Sequence, residues 1–132
     1  ATAWAQAQTA IPCFGTTHAD YAYGAIPCTA VLTDAQIERD YEEETGVQIT
    51  DAFKGRKPLE TPMVIVAGHA PFTWGKDAAA SVYHAVVLEE IARMAYLTKA
   101  IDPTRGPLQQ SIVDKHYSRK HGKDAYYGQG PK

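Results

Sequence analysis

Five histidines are the side chains of this sequence best suited to chemistry near neutral pH: His18, His69, His84, His116 and His121. An imidazole can ligate a metal or act as acid and base. No two of them are spaced as His-x-x-x-His, and none lies in a Cys/His zinc pattern. A metal site would therefore have to be assembled from segments that are distant in the sequence.

His69 is the strongest of these candidates, because it follows an apolar run and Gly68. Such a position fixes the backbone and lets the side chain face a cleft, and functional residues are often found on loops at strand ends. His84 is the weakest candidate, because it lies inside a long apolar helical pattern and is expected to pack there.

The segment His18-Ala19-Asp20 places two titratable groups two residues apart. In an extended segment both would point the same way, and Asp20 could then act as general acid or base. A role in a turn or as a helix N-cap is the alternative for Asp20, and spacing alone favours it.

The last two histidines are five residues apart, so His116 and His121 are not expected to share a helix face. They lie in a basic segment with Lys115, Arg119, Lys120 and Lys123. This segment could meet an anion such as a phosphate, or it could be a solvated basic face. Charge alone favours the solvated face.

Three short strands are predicted. The tetrapeptide Ala-Ile-Pro-Cys occurs twice and predicts strands over residues 11–15 and 25–29. The continuous apolar run 63–67 is the strongest strand signal and indicates a strand that is buried on both faces.

Helices are predicted around these strands. Thr33 and Gln36 form a capping box that begins an acidic helix, which Gly46 would end or kink. Residues 77–99 are apolar over a wide arc, which is typical of a central helix. Residues 108–120 predict a last helix before the tail.

The composition is that of a single soluble globular domain, with 132 residues, 45% hydrophobic and 21% charged. The net charge of −2 argues against nucleic acid as a partner, and no stretch is long enough to span a membrane. Two cysteines are too few for a disulfide framework. Residues 1–8 resemble an uncapped helix interior rich in Ala and Gln, so we expect a chain cut from something longer.

Several segments resemble the L-ribulose-5-phosphate 4-epimerases of the class II aldolase/epimerase superfamily. The similarity covers nearly the whole chain. Its motifs are Gly-Thr-Thr-His-Ala-Asp-Tyr at 15–21, Asp-Tyr-Glu-x-Glu-Thr-Gly at 40–46, Gly-His-Ala-Pro-Phe-Thr-Trp-Gly-Lys at 68–76, Ala-Val-Val-Leu-Glu-Glu-Ile-Ala at 85–92, Asp-Lys-His-Tyr-x-Arg-Lys-His-Gly at 114–122 and Ala-Tyr-Tyr-Gly-Gln at 125–129.

The resemblance implies an α/β fold with three layers, in which helices flank a central, mainly antiparallel sheet. It also implies that a divalent metal, usually zinc, holds the substrate and stabilises an enediolate. The C3–C4 bond of L-ribulose 5-phosphate then breaks by retro-aldol cleavage. Re-addition of the aldehyde on its other face gives D-xylulose 5-phosphate.

The resemblance also assigns roles to residues of this chain. His69 would be a metal ligand, Asp20 the acid or base on one face of the aldehyde, and Tyr127 its counterpart from a neighbouring subunit. Thr16, Glu42 and His116 match positions that bind the substrate or support the site. A cytoplasmic homotetramer with active sites between subunits is implied.

The other two metal-binding histidines of the family lie in a His-x-His motif upstream of the segment matching Ala1. We therefore expect residues 1–132 to be the C-terminal part of a single class II aldolase/epimerase domain that lacks its N-terminal portion, with weak metal affinity by itself. Two alternatives stay open: a sugar-phosphate aldolase of the fuculose or rhamnulose type, and a non-catalytic assembly module that kept the scaffold.

Overall fold

The computed structural model describes residues 1–123 and 125–126. In chain order the elements are α1 (Thr2–Gln6), α2 (Thr16–Ala19), α3 (Asp34–Ala52), β1 (Met63–Ile65), β2 (Pro71–Thr73), α4 (Ala78–Ile101) and α5 (Gln110–His121). Tyr127 lies outside the described residues. No helix within the described ranges has the length and apolar character needed to cross a membrane.

The sheet is small and antiparallel. The buried strand β1 pairs with β2, and Val64 lies opposite Phe72. The turn between them contains Gly68 at φ 71°, a left-handed conformation that favours glycine. The apolar run is thus confirmed as a buried strand, and the mixed helix and strand content agrees with an α/β chain. The three-layer arrangement remains a prediction.

The two segments that share Ala-Ile-Pro-Cys are not full strands. They take part in two isolated bridges: Ile11 pairs with Ile26, which joins the two segments, and Cys28 pairs with Ile65 of β1. Pro12 and Pro27 interrupt these segments and have no N–H to donate to a ladder. The predicted strands over residues 11–15 and 25–29 are therefore reduced to these two bridges.

Helix α4 carries the main core, as its apolar pattern predicts. Its buried residues are Leu88, Ile91, Ala92 and Ala95, and they pack in one cluster with Ala5, Ile11, Ala22, Ile26, Met63 and Ile65. Asp77 caps its N-terminus, because its side chain accepts a hydrogen bond from the Ala80 amide at 2.7 Å. The opposite face is also apolar but exposed, including Val82, Val86 and Tyr96.

Helix α3 begins at the predicted capping box, in which Thr33 and Gln36 exchange hydrogen bonds. It continues through Gly46, so the prediction of a break there is wrong. The break lies at Asp40, whose φ of −170° and ψ of 101° are not helical. The Asp40 carboxylate then accepts the Glu43 amide at 3.0 Å and starts the second half of the helix.

The segment around His18 is helical, and the extended conformation considered from the sequence is wrong. In α2 the two side chains do not act as a pair: His18 turns inward and bonds the Gly24 carbonyl through Nε2 at 2.8 Å, while Asp20 faces α5. Because a carbonyl only accepts, Nε2 carries the proton. Gly24, at φ 84°, lets the chain close this loop.

We expect His18 to make stability depend on pH. Burial lowers the pKa of His18 from 6.5 to about 4, against the raising effect of the Gly24 hydrogen bond. The unfolded chain therefore binds a proton that the folded chain rejects between these values. Urea unfolding should show about 2 kcal/mol less stability at pH 4.5 than at pH 7 from this group.

The control is a pair of variants measured at both pH values. His18→Gln removes the titrating group, so its stability should vary less with pH than that of the wild type. His69→Gln changes an exposed histidine and should keep the wild-type difference. A wild-type-like pH dependence in His18→Gln would show that His18 is not the source.

Candidate active site

Asp20 forms the centre of an ionic cluster between α2 and α5. His116 Nδ1 donates to Asp20 Oδ1 at 3.1 Å, and Arg119 Nη2 donates to both carboxylate oxygens at 3.3–3.4 Å. The Lys120 ammonium lies 3.5 Å from Asp20 Oδ2. Because positions 116, 119 and 120 are three and four residues apart, one face of α5 presents all three side chains to Asp20.

The surroundings of Asp20 keep its carboxyl group ionised. Desolvation by burial raises the pKa of Asp20, but the hydrogen bonds from His116 and Arg119 and the charges of Lys120 and Arg119 outweigh it. The net pKa lies below the ordinary value of 3.8. At neutral pH the group is thus a carboxylate, which can accept a proton.

The basic segment does not behave as the solvated face that its charge suggested. The side chains of Arg119 and Lys120 are mostly buried against Asp20, and the Lys120 ammonium also lies 4.6 Å from the centre of the Tyr21 ring. This pairing satisfies buried charge that would otherwise be costly. Arg119 and Lys120 thus form ion pairs with the Asp20 carboxylate instead of facing solvent.

His116 and His121, which were not expected to share a helix face, both contact Asp20 but at different atoms. His116 bonds the carboxylate, whereas His121 Nε2 bonds the Asp20 backbone carbonyl at 2.9 Å. The two histidines contact different atoms of one residue because α2 ends at Ala19, which leaves the Asp20 carbonyl accessible. His121 also stacks on Tyr117, with ring centres 4.4 Å apart.

Of the other predicted site residues, Thr16 lies next to Asp20, whereas His69 and Glu42 do not contact it. Thr16 begins α2, and its carbonyl accepts the Asp20 amide at 2.9 Å. His69 is exposed in the β1–β2 turn, with its ring edge-to-face against Phe72 at 5.9 Å, and Glu42 is exposed on α3. Across residues 1–123 and 125–126, no hydrogen bond, ion pair or ring contact joins His69 or Glu42 to Asp20.

His84 has a structural role, as its position inside the helix predicts. Its Nδ1 lies 2.6 Å from the Trp74 carbonyl, and Thr73 and Ser81 exchange two hydrogen bonds next to it. These contacts fasten the end of β2 to the first turns of α4.

A cavity of about 1000 Å³ lies apart from these side chains, between α1 and α4. Trp4, Val86 and Tyr96 are among its mostly apolar lining, and it contains none of the predicted site residues. A smaller cavity of about 180 Å³ lies beside His69. The smaller cavity is thus the one that contains a predicted site residue.

Comparison with known proteins shows the family of this chain. The profile of the family described as "Class II Aldolase and Adducin N-terminal domain" matches residues 1–96. The chain belongs to the class II aldolase and adducin family. The description names adducin as well as aldolases, so membership by itself does not fix a reaction.

This class II aldolase-family chain is also similar to curated relatives. Proteins named "L-ribulose-5-phosphate 4-epimerase UlaF" from Salmonella paratyphi B, Salmonella paratyphi A and Salmonella typhi are each 50% identical to it over 129 residues. The matched part is 98% of this chain and 57% of each relative. The chain therefore spans somewhat over half the length of the relatives it matches.

Class II aldolases generally depend on a divalent metal. Among residues 1–123 and 125–126, no three His, Cys, Asp or Glu side chains form a group that could hold a metal ion. His69 alone offers one imidazole, whereas a catalytic zinc ion has three protein ligands. The described residues of this class II aldolase-family chain thus do not fit a metal by themselves.

We therefore expect the 132-residue chain to bind zinc weakly. A calorimetric titration should show no tight one-to-one site, because a single imidazole cannot hold the ion against water. His69→Gln should change the weak signal only slightly. A tight one-to-one site that His69→Gln abolishes would contradict this expectation.

Proposed function

We propose that the protein is an L-ribulose-5-phosphate 4-epimerase, an isomerase that converts L-ribulose 5-phosphate to D-xylulose 5-phosphate. The observation that carries the proposal is the 50% identity, over 98% of this chain, to relatives of that name. Since the chain spans 57% of their length, the activity is proposed for the whole protein. The reaction would break and re-form the C3–C4 bond.

Asp20 is the proposed proton-transfer group on one face of the reacting aldehyde. Cleavage of the C3–C4 bond requires loss of the C4 hydroxyl proton, and a carboxylate can accept it. The lowered pKa of Asp20 and its hydrogen bond from His116 support this role. Arg119 and Lys120 would keep the carboxylate ionised and in place between turnovers.

Inversion at C4 requires a second proton-transfer group on the opposite face, because the aldehyde is re-added from that side. We assign this role to Tyr127, which would donate a proton to the new alkoxide. Tyr127 would reach the site from a neighbouring subunit, so the active protein would be a homotetramer with active sites at subunit interfaces. Solvent would return both groups to their starting protonation states.

The remaining assignments complete the proposed site. His69 would supply one ligand of a divalent metal, with zinc as the proposed ion and the other ligands from outside the described residues. Thr16, Glu42 and His116 would bind the sugar phosphate or support the site. The proposed setting is the cytoplasm, without nucleic acid or membrane as a partner.

Two other functions are also consistent with membership of this family. A class II sugar-phosphate aldolase of the fuculose or rhamnulose type would release the aldehyde instead of re-adding it. A non-catalytic assembly module would keep the fold without turnover, and the family description includes adducin. The Asp20 segment and the Tyr-Tyr-Gly-Gln ending at 126–129 favour the epimerase.

Product analysis distinguishes these functions. The full-length protein, supplied with divalent metal, is incubated separately with L-ribulose 5-phosphate and with fuculose and rhamnulose 1-phosphates. The epimerase should give D-xylulose 5-phosphate from the first and no free dihydroxyacetone phosphate from the others. Dihydroxyacetone phosphate would indicate the aldolase, and no product from any substrate would favour the assembly module.

A further inference from the structure

A cavity of about 180 Å³ lies between α3 and the turn that carries His69. Leu32, Ile37 and Val66 are among its apolar lining, and five polar side chains also line it: Thr29, Tyr41, Thr45, Gln48 and His69. Tyr41, Thr45 and Gln48 are spaced four and three residues apart, so they share one face of α3. A helix face and a turn thus enclose one small space.

The polar side chains of this cavity divide into two groups by their hydrogen bonds. The Thr29 hydroxyl accepts the Ala67 amide at 3.0 Å, and the Thr45 hydroxyl donates to the Tyr41 carbonyl at 2.7 Å. The Tyr41 hydroxyl, the Gln48 amide and the His69 imidazole form no side-chain hydrogen bond with any other described residue. Tyr41 and Gln48 therefore have donors and acceptors available to a ligand, while His69 is the proposed metal ligand next to them.

The backbone of α3 is built to hold Tyr41 beside this cavity. The break at Asp40 immediately precedes Tyr41 and redirects the helix. Glu44, which is only 7% exposed, fastens the two halves together, because it accepts Gln36 Nε2 at 3.0 Å and Arg39 Nε at 2.7 Å. Arg39 is exposed, but the buried Glu44 carboxylate accepts charge-assisted and neutral hydrogen bonds from both residues before the break. The position of Tyr41 is thus fixed on both sides.

The chemistry of the lining selects the kind of ligand. The Tyr41 phenol and the Gln48 carboxamide suit hydroxyl and carbonyl groups, whereas no Lys or Arg side chain lines the cavity to hold a phosphate. The apolar wall suits the C–H face of a short carbon chain. The cavity is also smaller than the roughly 300–1000 Å³ of sites for drug-sized ligands.

We infer that Tyr41 and Gln48 of α3, beside the proposed metal ligand His69, form a binding pocket for the hydroxyl groups of a short polyhydroxylated chain. This inference rests on the proposed function in one respect: the chain would be the carbon backbone of the ketose phosphate, with its phosphate outside the pocket. The family resemblance gives no role to Tyr41 or Gln48. Neither residue takes part in the proposed proton transfer.

The test uses L-ribitol 5-phosphate, which keeps the C1, C3 and C4 hydroxyl groups of the substrate and has a hydroxyl in place of the C2 ketone, so it cannot undergo C3–C4 cleavage. Its affinity for the full-length protein is measured by calorimetry for the wild type, Tyr41→Phe and Gln48→Leu. Each variant should weaken binding about tenfold, the effect of one lost hydrogen bond. Tyr96→Phe, an exposed tyrosine on α4 outside this cavity, should leave the affinity unchanged.

The kinetic readout separates this inference from the proposed epimerase. With L-ribulose 5-phosphate, Tyr41→Phe and Gln48→Leu should raise KM and change kcat by less than about threefold, because they remove binding shared by ground and transition states. If the wild type binds L-ribitol 5-phosphate through Tyr41 and Gln48 but turns over no L-ribulose 5-phosphate, the pocket stands and the epimerase fails. If turnover is present and both variants keep wild-type affinity and KM, the pocket is wrong.

Two further outcomes also test the proposed pocket. No binding of L-ribitol 5-phosphate by the folded wild-type protein would overturn the pocket. If Gln48→Leu does not fold, Tyr41→Phe decides alone, since it removes one oxygen atom from a half-exposed side chain and leaves the ring in place. Circular dichroism of each variant checks the fold before the titration.

Discussion

Replacing Asp20 by Asn in the full-length protein should lower kcat for L-ribulose 5-phosphate about 1000-fold, the scale of an essential proton-transfer group. The amide is nearly the same size as the carboxyl group but cannot accept the proton. The substitution also removes the negative charge that forms ion pairs with Arg119 and Lys120. Steady-state rates with the purified variant, checked for folding by circular dichroism, measure the effect.

Asp102→Asn is the matched control for this experiment. Asp102 is a carboxylate at the end of α4 that accepts hydrogen bonds from Thr104, and an Asn side chain can accept them as well. Its kcat should remain within about twofold of the wild type, since no proton transfer is assigned to it. A folded Asp20→Asn protein with kcat within about tenfold of the wild type would remove Asp20 from the proposed chemistry.

Leu88→Ala should destabilise the fold by about 3 kcal/mol, since deleting a buried leucine side chain leaves a cavity as well as losing burial. Leu88 is fully buried at the centre of α4, in the cluster that joins this helix to β1. The midpoint of thermal unfolding should fall by about 10 °C for a chain of this size. Urea unfolding of the same protein gives the free energy directly.

Val86→Ala is the control that tests whether the loss of stability in Leu88→Ala comes from burial rather than from shortening a side chain on α4. Val86 lies on the same helix but is 66% exposed, so its truncation should cost less than about 0.5 kcal/mol. Equal destabilisation by the two variants would mean that the exposed face of α4 is covered in the protein in solution. A small effect of Leu88→Ala would show that the core is not organised around this helix.

Elements marked by several residues that agree with one another could be predicted from the sequence. They are the apolar period of α4, the capping box of α3 and the apolar run of β1. Elements without such a pattern could not be predicted in this way. Helix α2 is a single turn of four residues, and the two Pro-containing segments take part in two isolated bridges and form no strand.

The chemistry of the site was only partly visible in the sequence for a different reason. Asp20 and its hydrogen-bond partners on α5 are 96 to 101 residues apart, so no local spacing connects them. The spacing of His116, Arg119 and Lys120 does mark one helix face, and this signal could have identified the partners of a buried carboxylate. Likewise, Tyr41 and Gln48 become neighbours of His69 only when α3 packs beside the β1–β2 turn.

The proposed epimerase is tested most directly by following inversion at C4 itself. L-ribulose 5-phosphate labelled with carbon-13 at C4 is incubated with the full-length protein and divalent metal, and the reaction is followed by NMR. The C4 resonance should move to that of D-xylulose 5-phosphate in the wild type and remain in place with Asp20→Asn. An unchanged resonance with the folded wild type, or equal rates for the two proteins, would contradict the proposal.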